Sequence, residues 1–364
     1  MGRALVIGGS VCYDVTSISS YARAMTDIER GYNRDGDDLC QFNLGIFCDE
    51  ATKTPLYYSR YNGSITDKTN LPYVLAGARE LGIRRVKMMV DGGFWDEKAL
   101  KSLHRYADAF TIGMPAFLKE SGGILAAHGG GIETYANELA YPNIYCVAVD
   151  AEVSGIAGRV LLFYDALSHL SLCNDISERV NSLKLELAAL KRYPKSKLER
   201  YSPYFKITKH SHGTGFDYAV DTDKIEHLRR GKGFFLLFST DMASSPSDIL
   251  YYYRAKDADE KLFAQIKGDM DSARMRTHCE ETTDGKVFVT FIACLIRSHI
   301  LNKLSDFIRN DSTSLKKVFN QLANITVVAN NGSLRFTKAL SKIQKQILST
   351  FAALDDIFLS ISPF

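Results

Sequence analysis

The sequence predicts an α/β fold, and three observations carry that prediction. The first 115 residues alternate short β-like runs with helix-period patterns. A continuous apolar run, Val86–Val90, sits between two of the helical patterns, as a buried strand of an α/β sheet does. The composition, 46% apolar and 24% charged, is that of a chain able to bury a sizeable core, and 364 residues suffice for about two domains.

Each element follows from its own pattern. Val11–Ile18, Phe42–Phe47 and Leu56–Tyr61 read as strands separated by polar, turn-forming segments, which predicts a meander. Leu71, Val74, Leu75, Ala78 and Leu81 keep the 3.6-residue period and predict a helix over 71–81. Val86–Val90 ends at Asp91, Glu97–Tyr106 reads as a helix and Ala109–Ile112 as a strand. The order β-β-β-α-β-α-β implies a mixed sheet, antiparallel at first and then joined by right-handed crossovers.

From 116 to 245 the pattern changes. Gly122 to Gly131 contains five glycines and is expected to form a loop. Ile176, Val180, Leu183, Leu187 and Leu190 repeat at 4-3-4-3 spacing, an amphipathic helix that packs on the core or on a partner. Phe234–Phe238 is a buried strand by pattern, and Ser244, Ser245, Pro246 and Ser247 punctuate the start of a new helix. Phe288–Leu301 reads as a core helix, and Phe336, Leu340, Ile343, Ile347 and Leu354 as a final amphipathic one.

Charge and targeting exclude some classes. Lys+Arg 45 against Asp+Glu 42 leaves +3, so a nucleic-acid partner would be held by local patches rather than by a global field. The clusters Lys191, Arg192, Lys195, Lys197, Arg200 and Lys224, Arg229, Arg230, Lys232 read as solvated faces. The longest uncharged apolar run, Val287–Ile296, is too short for the roughly 20 residues of a membrane span. The start, MGRALVIGGSVCYD, lacks an export signal, and seven scattered cysteines without a C-x-x-C pair fit a reducing cytoplasm.

Motifs for phosphate loops, dinucleotides, zinc proteases and serine hydrolases are absent. His210 and His212 lack further ligands at metal spacing, and Trp95 reads as packing. What remains is acids at strand positions. Asp14 lies within the first strand and Asp91 directly after the fourth, and neighbouring strands would bring both to one sheet edge. Glu260, from a later helix, would complete an all-oxygen site for Mg²⁺ or Mn²⁺. On a wheel of one continuous helix, Tyr253, Lys256 and Lys267 fall within about 40° of Glu260, beside an apolar stripe of Leu262, Phe263, Ile266 and Met270. In isolation that pattern reads first as the ion-pair face of a solvated helix.

These residues resemble the DDE transposases of bacterial insertion sequences. YDVTS around Asp14 is similar to that family's first-aspartate motif, and D-G-G-F at Asp91–Phe94 to its D-x-G-[FY] second motif. Tyr253-x2-Lys256-x3-Glu260-x6-Lys267 matches the Y-x2-[RK]-x3-E-x6-K signature, whose four fixed positions make it the specific one. The flanking text GYNRDGDDLCQFNLGIF, YNGSITD and GKVFVTFIACLIRSHI also resembles the family. The likeness covers about 10–110 and 230–310 well and the interval between them loosely.

The resemblance implies a ribonuclease-H-like α/β fold, a mixed five-stranded sheet with flanking helices, interrupted by a helix-plus-strand insertion. Its parts would be 1–115 and 246–310 for the catalytic core, 116–245 for the inserted subdomain and 311–364 for a C-terminal helical region. It implies a DNA transposase in which Asp14, Asp91 and Glu260 bind two Mg²⁺ or Mn²⁺ ions, while Tyr253, Lys256 and Lys267 hold DNA phosphates. DNA would be the partner, with a homodimer on paired ends formed through Ile176–Leu190 or Phe336–Leu354, no membrane, and a cytoplasmic, nucleoid-associated location. The sequence departs from the pattern at Gly92, where many members carry Arg, and at Asp259, where an apolar residue usually precedes the glutamate. Only 13 residues precede Asp14, where relatives carry a DNA-end-binding region, so a truncated or catalytically silent DNA-binding relative is the rival expectation, and a metal-dependent nuclease a third.

Overall fold

The computed structural model describes residues 9–22, 25–83, 86–268, 270, 272–310, 313–330 and 333–351, the side chains of 257–259, 329–330 and 333–335 excepted. Along the chain run strands β1 (Ser10–Ser20), β2 (Gln41–Asp49) and β3 (Thr54–Asn62), helix α1 (Asp67–Glu80), β4 (Lys87–Val90), α2 (Glu97–Tyr106) and β5 (Ala109–Met114). Then come α3 (Lys119–His128), β6 (Ile144–Val153), β7 (Ile156–Asp165), α4 (Ala166–Ala189), α5 (Leu198–Tyr201), β8 (Phe205–Lys209), β9 (Phe216–Val220), α6 (Thr222–Arg230) and β10 (Phe234–Ser239). The last part holds α7 (Pro246–Ala255), α8 (Asp257–Lys267), β11 (Arg274–Met275), α9 (Glu280–Lys303), α10 (Ser305–Asn310), α11 (Leu315–Ala323), β12 (Val327–Asn330), β13 (Ser333–Phe336) and α12 (Lys342–Ser349). This is a mixed α/β protein, as its sequence predicts. It divides into two compact units, one of residues 1–10 and 66–256, the other of 11–65 and 257–364.

In the 66–256 unit, β4 and β5 run parallel, β10 pairs antiparallel with both β5 and β7, and β6 closes the order β4-β5-β10-β7-β6. The strands from the 116–245 interval thus extend the same sheet as β4 and β5. Helix α7 packs Ile249 and Leu250 onto Leu161, Phe163 and Leu237 of β7 and β10. The β6–β7 hairpin turns at Ser154 and Gly155, with φ of 54° and 78°. Those two left-handed residues make the turn whose twist matches paired strands. Residues 122–128, expected as a loop, belong to helix α3. Gly122 and Gly123 sit where a side chain would meet nothing, and the strong helix formers Leu125, Ala126 and Ala127 work against their cost of about 1 kcal/mol each. Leu183 and Leu187 of the α4 stripe are buried with Tyr201 and Phe205, Val180 and Leu190 pack against the same cluster, and Ile176 is buried as well, so the stripe is core rather than a free partner surface.

In the other unit β2 lies between β3 and β1, all antiparallel, and the short β11 runs parallel to β1. The register Asp14↔Ile46, Thr16↔Leu44, Ile18↔Phe42 puts Asp14 on the face whose other members are mostly apolar. That face is covered by α8 through Leu262, Phe263 and Ile266 and by α9 through Val287 and Cys294. The opposite face carries a buried polar ladder in which the Gln41 amide donates to Ser17 Oγ at 3.2 Å and to Asn43 Oδ1 at 3.2 Å. Two features differ from the sequence expectation. Phe336 ends strand β13, and the last helix among the described residues is the short α12, with Ile347 in the core, while Leu354 lies outside the described residues. The helix expected to run from Pro246 past Glu260 is two helices that meet at Lys256.

Candidate active site

Asp91 follows β4 and caps a short helical turn of Gly92–Phe94. Its carboxylate is half exposed and Oδ1 accepts two hydrogen bonds, one from Lys256 Nζ at 2.7 Å and one from Tyr253 Oη at 3.3 Å. Lys256 also lies 4.9 Å from the centre of the Tyr253 ring, a cation–π contact. Burial pushes the Asp91 carboxyl upward, but hydrogen bonding and charge from Lys256, with Gly92 and Tyr253, outweigh it and hold the group below its ordinary value. Burial raises the Tyr253 phenol, and the adjacent Asp91 charge raises it further, so the hydroxyl stays a donor at neutral pH.

Backbone closeness permits this meeting. A Cβ on Gly113 of β5 would lie 2.7 Å from Tyr253 Oη, 2.9 Å from Gly92 N and 3.0 Å from Gly92 Cα. A Cβ on Gly92 would come within 3.1 Å of Gly113 O. The Gly92 departure from the family pattern therefore coincides with a place where the turn and β5 nearly touch. Gly113 carries no motif; its one signal in sequence is a glycine inside an apolar strand, a mark of close backbone approach.

Helix α7, which delivers Tyr253, is anchored at its start. Ser245 and Asp248 form a reciprocal capping box with Pro246 in the first turn. The preceding loop folds on Asp241, whose Oδ1 accepts from Ala243 N and Ser244 N, both at 3.1 Å, and whose Oδ2 pairs with Lys87 Nζ at 2.6 Å. Burial raises the Asp241 carboxyl, but Lys87 and Ser244 together hold it below the ordinary 3.8. Asp241 is another acid at a strand end, the pattern that singled out Asp91, and its buried ion pair makes it a structural one.

Helix α8 begins at the turn. It starts at Asp257, directly after Lys256, which ends α7, and it carries Glu260. The single-helix wheel therefore does not describe this segment: Tyr253 and Lys256 belong to the 66–256 unit, Glu260 and Lys267 to the other. Glu260 is exposed. The apolar stripe of α8 covers the sheet face that carries Asp14, whose Oδ1 accepts from Val15 N at 2.8 Å. Lys267, only 16% exposed along its side chain, pairs with Asp35 at 2.6 Å in the β1–β2 connection, and Arg274 pairs with Asp37 at 3.0 Å in the same segment.

The structure thus brings Asp91, Tyr253 and Lys256 together and sets Glu260 on a helix over Asp14's face of the sheet. Within each unit, no group of three or more His, Cys, Asp or Glu side chains gathers as a metal site among the described residues. The candidate trio draws Asp91 from one unit and Asp14 and Glu260 from the other. Among the described residues no helix is long and apolar enough to cross a membrane.

No family model matches the chain, and no curated protein matches it. Among solved structures it is similar to a piggyBac transposase synaptic complex with hairpin DNA, determined by cryo-electron microscopy, at 11% identity and a TM-score of 0.41. That likeness covers 97% of this chain, which spans 57% of the other.

Proposed function

We propose that the chain is a metal-dependent DNA transposase of ribonuclease-H-like fold, in which Asp14, Asp91 and Glu260 hold two Mg²⁺ or Mn²⁺ ions and Tyr253, Lys256 and Lys267 hold DNA phosphates. The observation that carries it is the meeting of Tyr253 and Lys256 with Asp91 across 162 and 165 positions of sequence. Two motifs picked out separately in the sequence converge on one carboxylate. The placement of α8 over Asp14's sheet face supports the same reading from the other unit. It requires β1 to lie beside β4, with the three carboxylates converging.

The donor set suits a hard divalent ion, since it offers carboxylate oxygens alone. Asp91 already receives a cation, the Lys256 ammonium, and both side-chain donors fall on Oδ1. When bound, such ions activate water or a 3′-hydroxyl and stabilise the leaving oxygen of an in-line phosphoryl displacement. The chain's own residues do the positioning. Lys256 keeps Asp91 ionised and presents positive charge to a phosphate brought to it, and Tyr253 offers a phenolic donor at the same place. Transposition joins two DNA ends, so the active form is a homodimer on DNA, acting in the nucleoid.

A second reading, a catalytically silent DNA-binding relative, draws on the same ion pair, which leaves Asp91 neutralised by Lys256. Duplexes spanning the DNA on either side of the coding sequence separate the two. The transposase cleaves them with Mg²⁺ or Mn²⁺, and Glu260→Gln lowers cleavage by several orders of magnitude with DNA affinity nearly unchanged. DNA binding without any cleavage by the natural chain would establish the silent relative, and cleavage that survives Glu260→Gln would remove the assignment of the third acid.

A further inference from the structure

Helix α9 has one face in the core and another, equally apolar, in water. Thr283, Val287, Cys294 and Ser298 are buried, Val287 and Cys294 in the core with the β1–β2 sheet and α8, whereas Phe288, Val289, Ile292 and Ile296 are 53%, 66%, 36% and 56% exposed. A second apolar stripe on a solvated helix face marks an interaction surface.

The order of residues along this stripe says what fits it. Counted outward from Ile292, Phe288 and Ile296 stand four positions to either side, and Val289 and Leu295 three. Gly285 and His299 stand seven positions out, so a residue without a side chain lies opposite a large one. At eleven positions stand Glu281 and Lys303, both exposed and of opposite charge. A face that sets apolar against apolar at three and four positions, small against large at seven and opposite charges at eleven is complementary to itself when two copies run antiparallel about a two-fold axis. Parallel pairing would set Glu281 against Glu281 and Lys303 against Lys303, which is repulsive.

We propose that the exposed face of α9 is a homodimer interface in which two copies pair antiparallel about Ile292, with Phe288 against Ile296 and Glu281 against Lys303 of the other copy. This differs from the dimer surfaces expected from sequence, since the α4 stripe is consumed in the core. It stands whether or not the chain cleaves DNA. One helix pair is a small interface, so the dimer is reversible and depends on concentration.

Sedimentation velocity of the full chain over a range of concentrations tests it, with circular dichroism checking that each variant is folded. The natural chain sediments as a dimer at the upper end, and Ile292→Glu, which sets two carboxylates against each other at the axis, shifts it to monomer. The decisive series uses charge alone. Glu281→Lys and Lys303→Glu each weaken the dimer, and the double exchange restores it, because the pair is then re-formed with its signs reversed. A natural chain that stays monomeric, or singles that weaken the dimer with no restoration by the double exchange, would overturn the proposal. So would a dimer unaffected by Ile292→Glu.

Discussion

Lys256 and Lys267 come from one signature, yet the two units use them differently. Both side chains are nearly buried, 13% and 16% exposed, and both hold an aspartate, at 2.7 Å and 2.6 Å. Lys256 pairs with Asp91, itself a candidate metal ligand, and rests on the Tyr253 ring. Lys267 pairs with Asp35, in a connecting segment that also holds Arg274 through Asp37. Spacing alone treats the two as equivalent phosphate contacts. The structure makes the first part of the acid's own electrostatics and the second a cation held by a loop, so neutralising them should have different consequences.

The largest difference is expected in cleavage. Asp91→Asn, like Glu260→Gln, should lower Mg²⁺-dependent strand cleavage by several orders of magnitude, whereas Lys267→Ala should act mainly through DNA affinity; single-turnover kinetics at saturating DNA separate the two. Equal losses at saturation would break the distinction between the lysines.

Next come changes to the frame around Asp91. Gly113→Ala forces backbone or Tyr253 to move and should destabilise the fold by about 1–3 kcal/mol, measured by urea unfolding. Asp241→Ala leaves Lys87 without its carboxylate, with only Ser244 Oγ still accepting from it, and should cost about 2 kcal/mol at neutral pH. The folded Asp241 carboxyl lies below 3.8, so its stabilisation is present above that pH and is lost as pH falls through the folded value. The deficit of Asp241→Ala should therefore shrink in acid.

A finer effect concerns the ion pair itself. Lys256→Met removes the main influence opposing burial, so the Asp91 carboxyl should titrate at higher pH, followed by carbon NMR of the labelled side chain. Lys267→Met should leave that titration unmoved. Smallest is Asp35→Asn, which releases Lys267; DNA binding should tighten and its salt dependence steepen by about one unit.

How far the sequence could be read depends on where its signals lie. Strands β1 to β5 were legible as short apolar or alternating runs and helices α1 and α2 because each buries one periodic face, and the capping residues of α7 stand openly at Ser245 and Pro246. The β6–β7 hairpin was not among the expected elements, although the alternation of Cys146–Val153 and the Ser154–Gly155 turn carry its signal. Two kinds of information were absent. The break at Lys256 interrupts a pattern that stays in phase on both sides of it, so periodicity does not report it. The meeting of Gly92 with Gly113 is a contact between distant backbone segments, and no local pattern encodes it. In the candidate site, the residue types were readable from the motifs, while the partner of each lysine was not, because an ion pair across 165 or 232 positions is decided by tertiary structure.

The central claim is that Asp14, Asp91 and Glu260 converge on divalent ions. Crystals of the natural chain grown with Mn²⁺, recorded at the manganese absorption edge, test it most directly. Anomalous peaks within coordination distance of all three carboxylates, with Asp14 and Asp91 on adjacent strands, are the predicted result. Carboxylates on opposite faces of the sheet, or manganese bound elsewhere with none at Asp91, would contradict it.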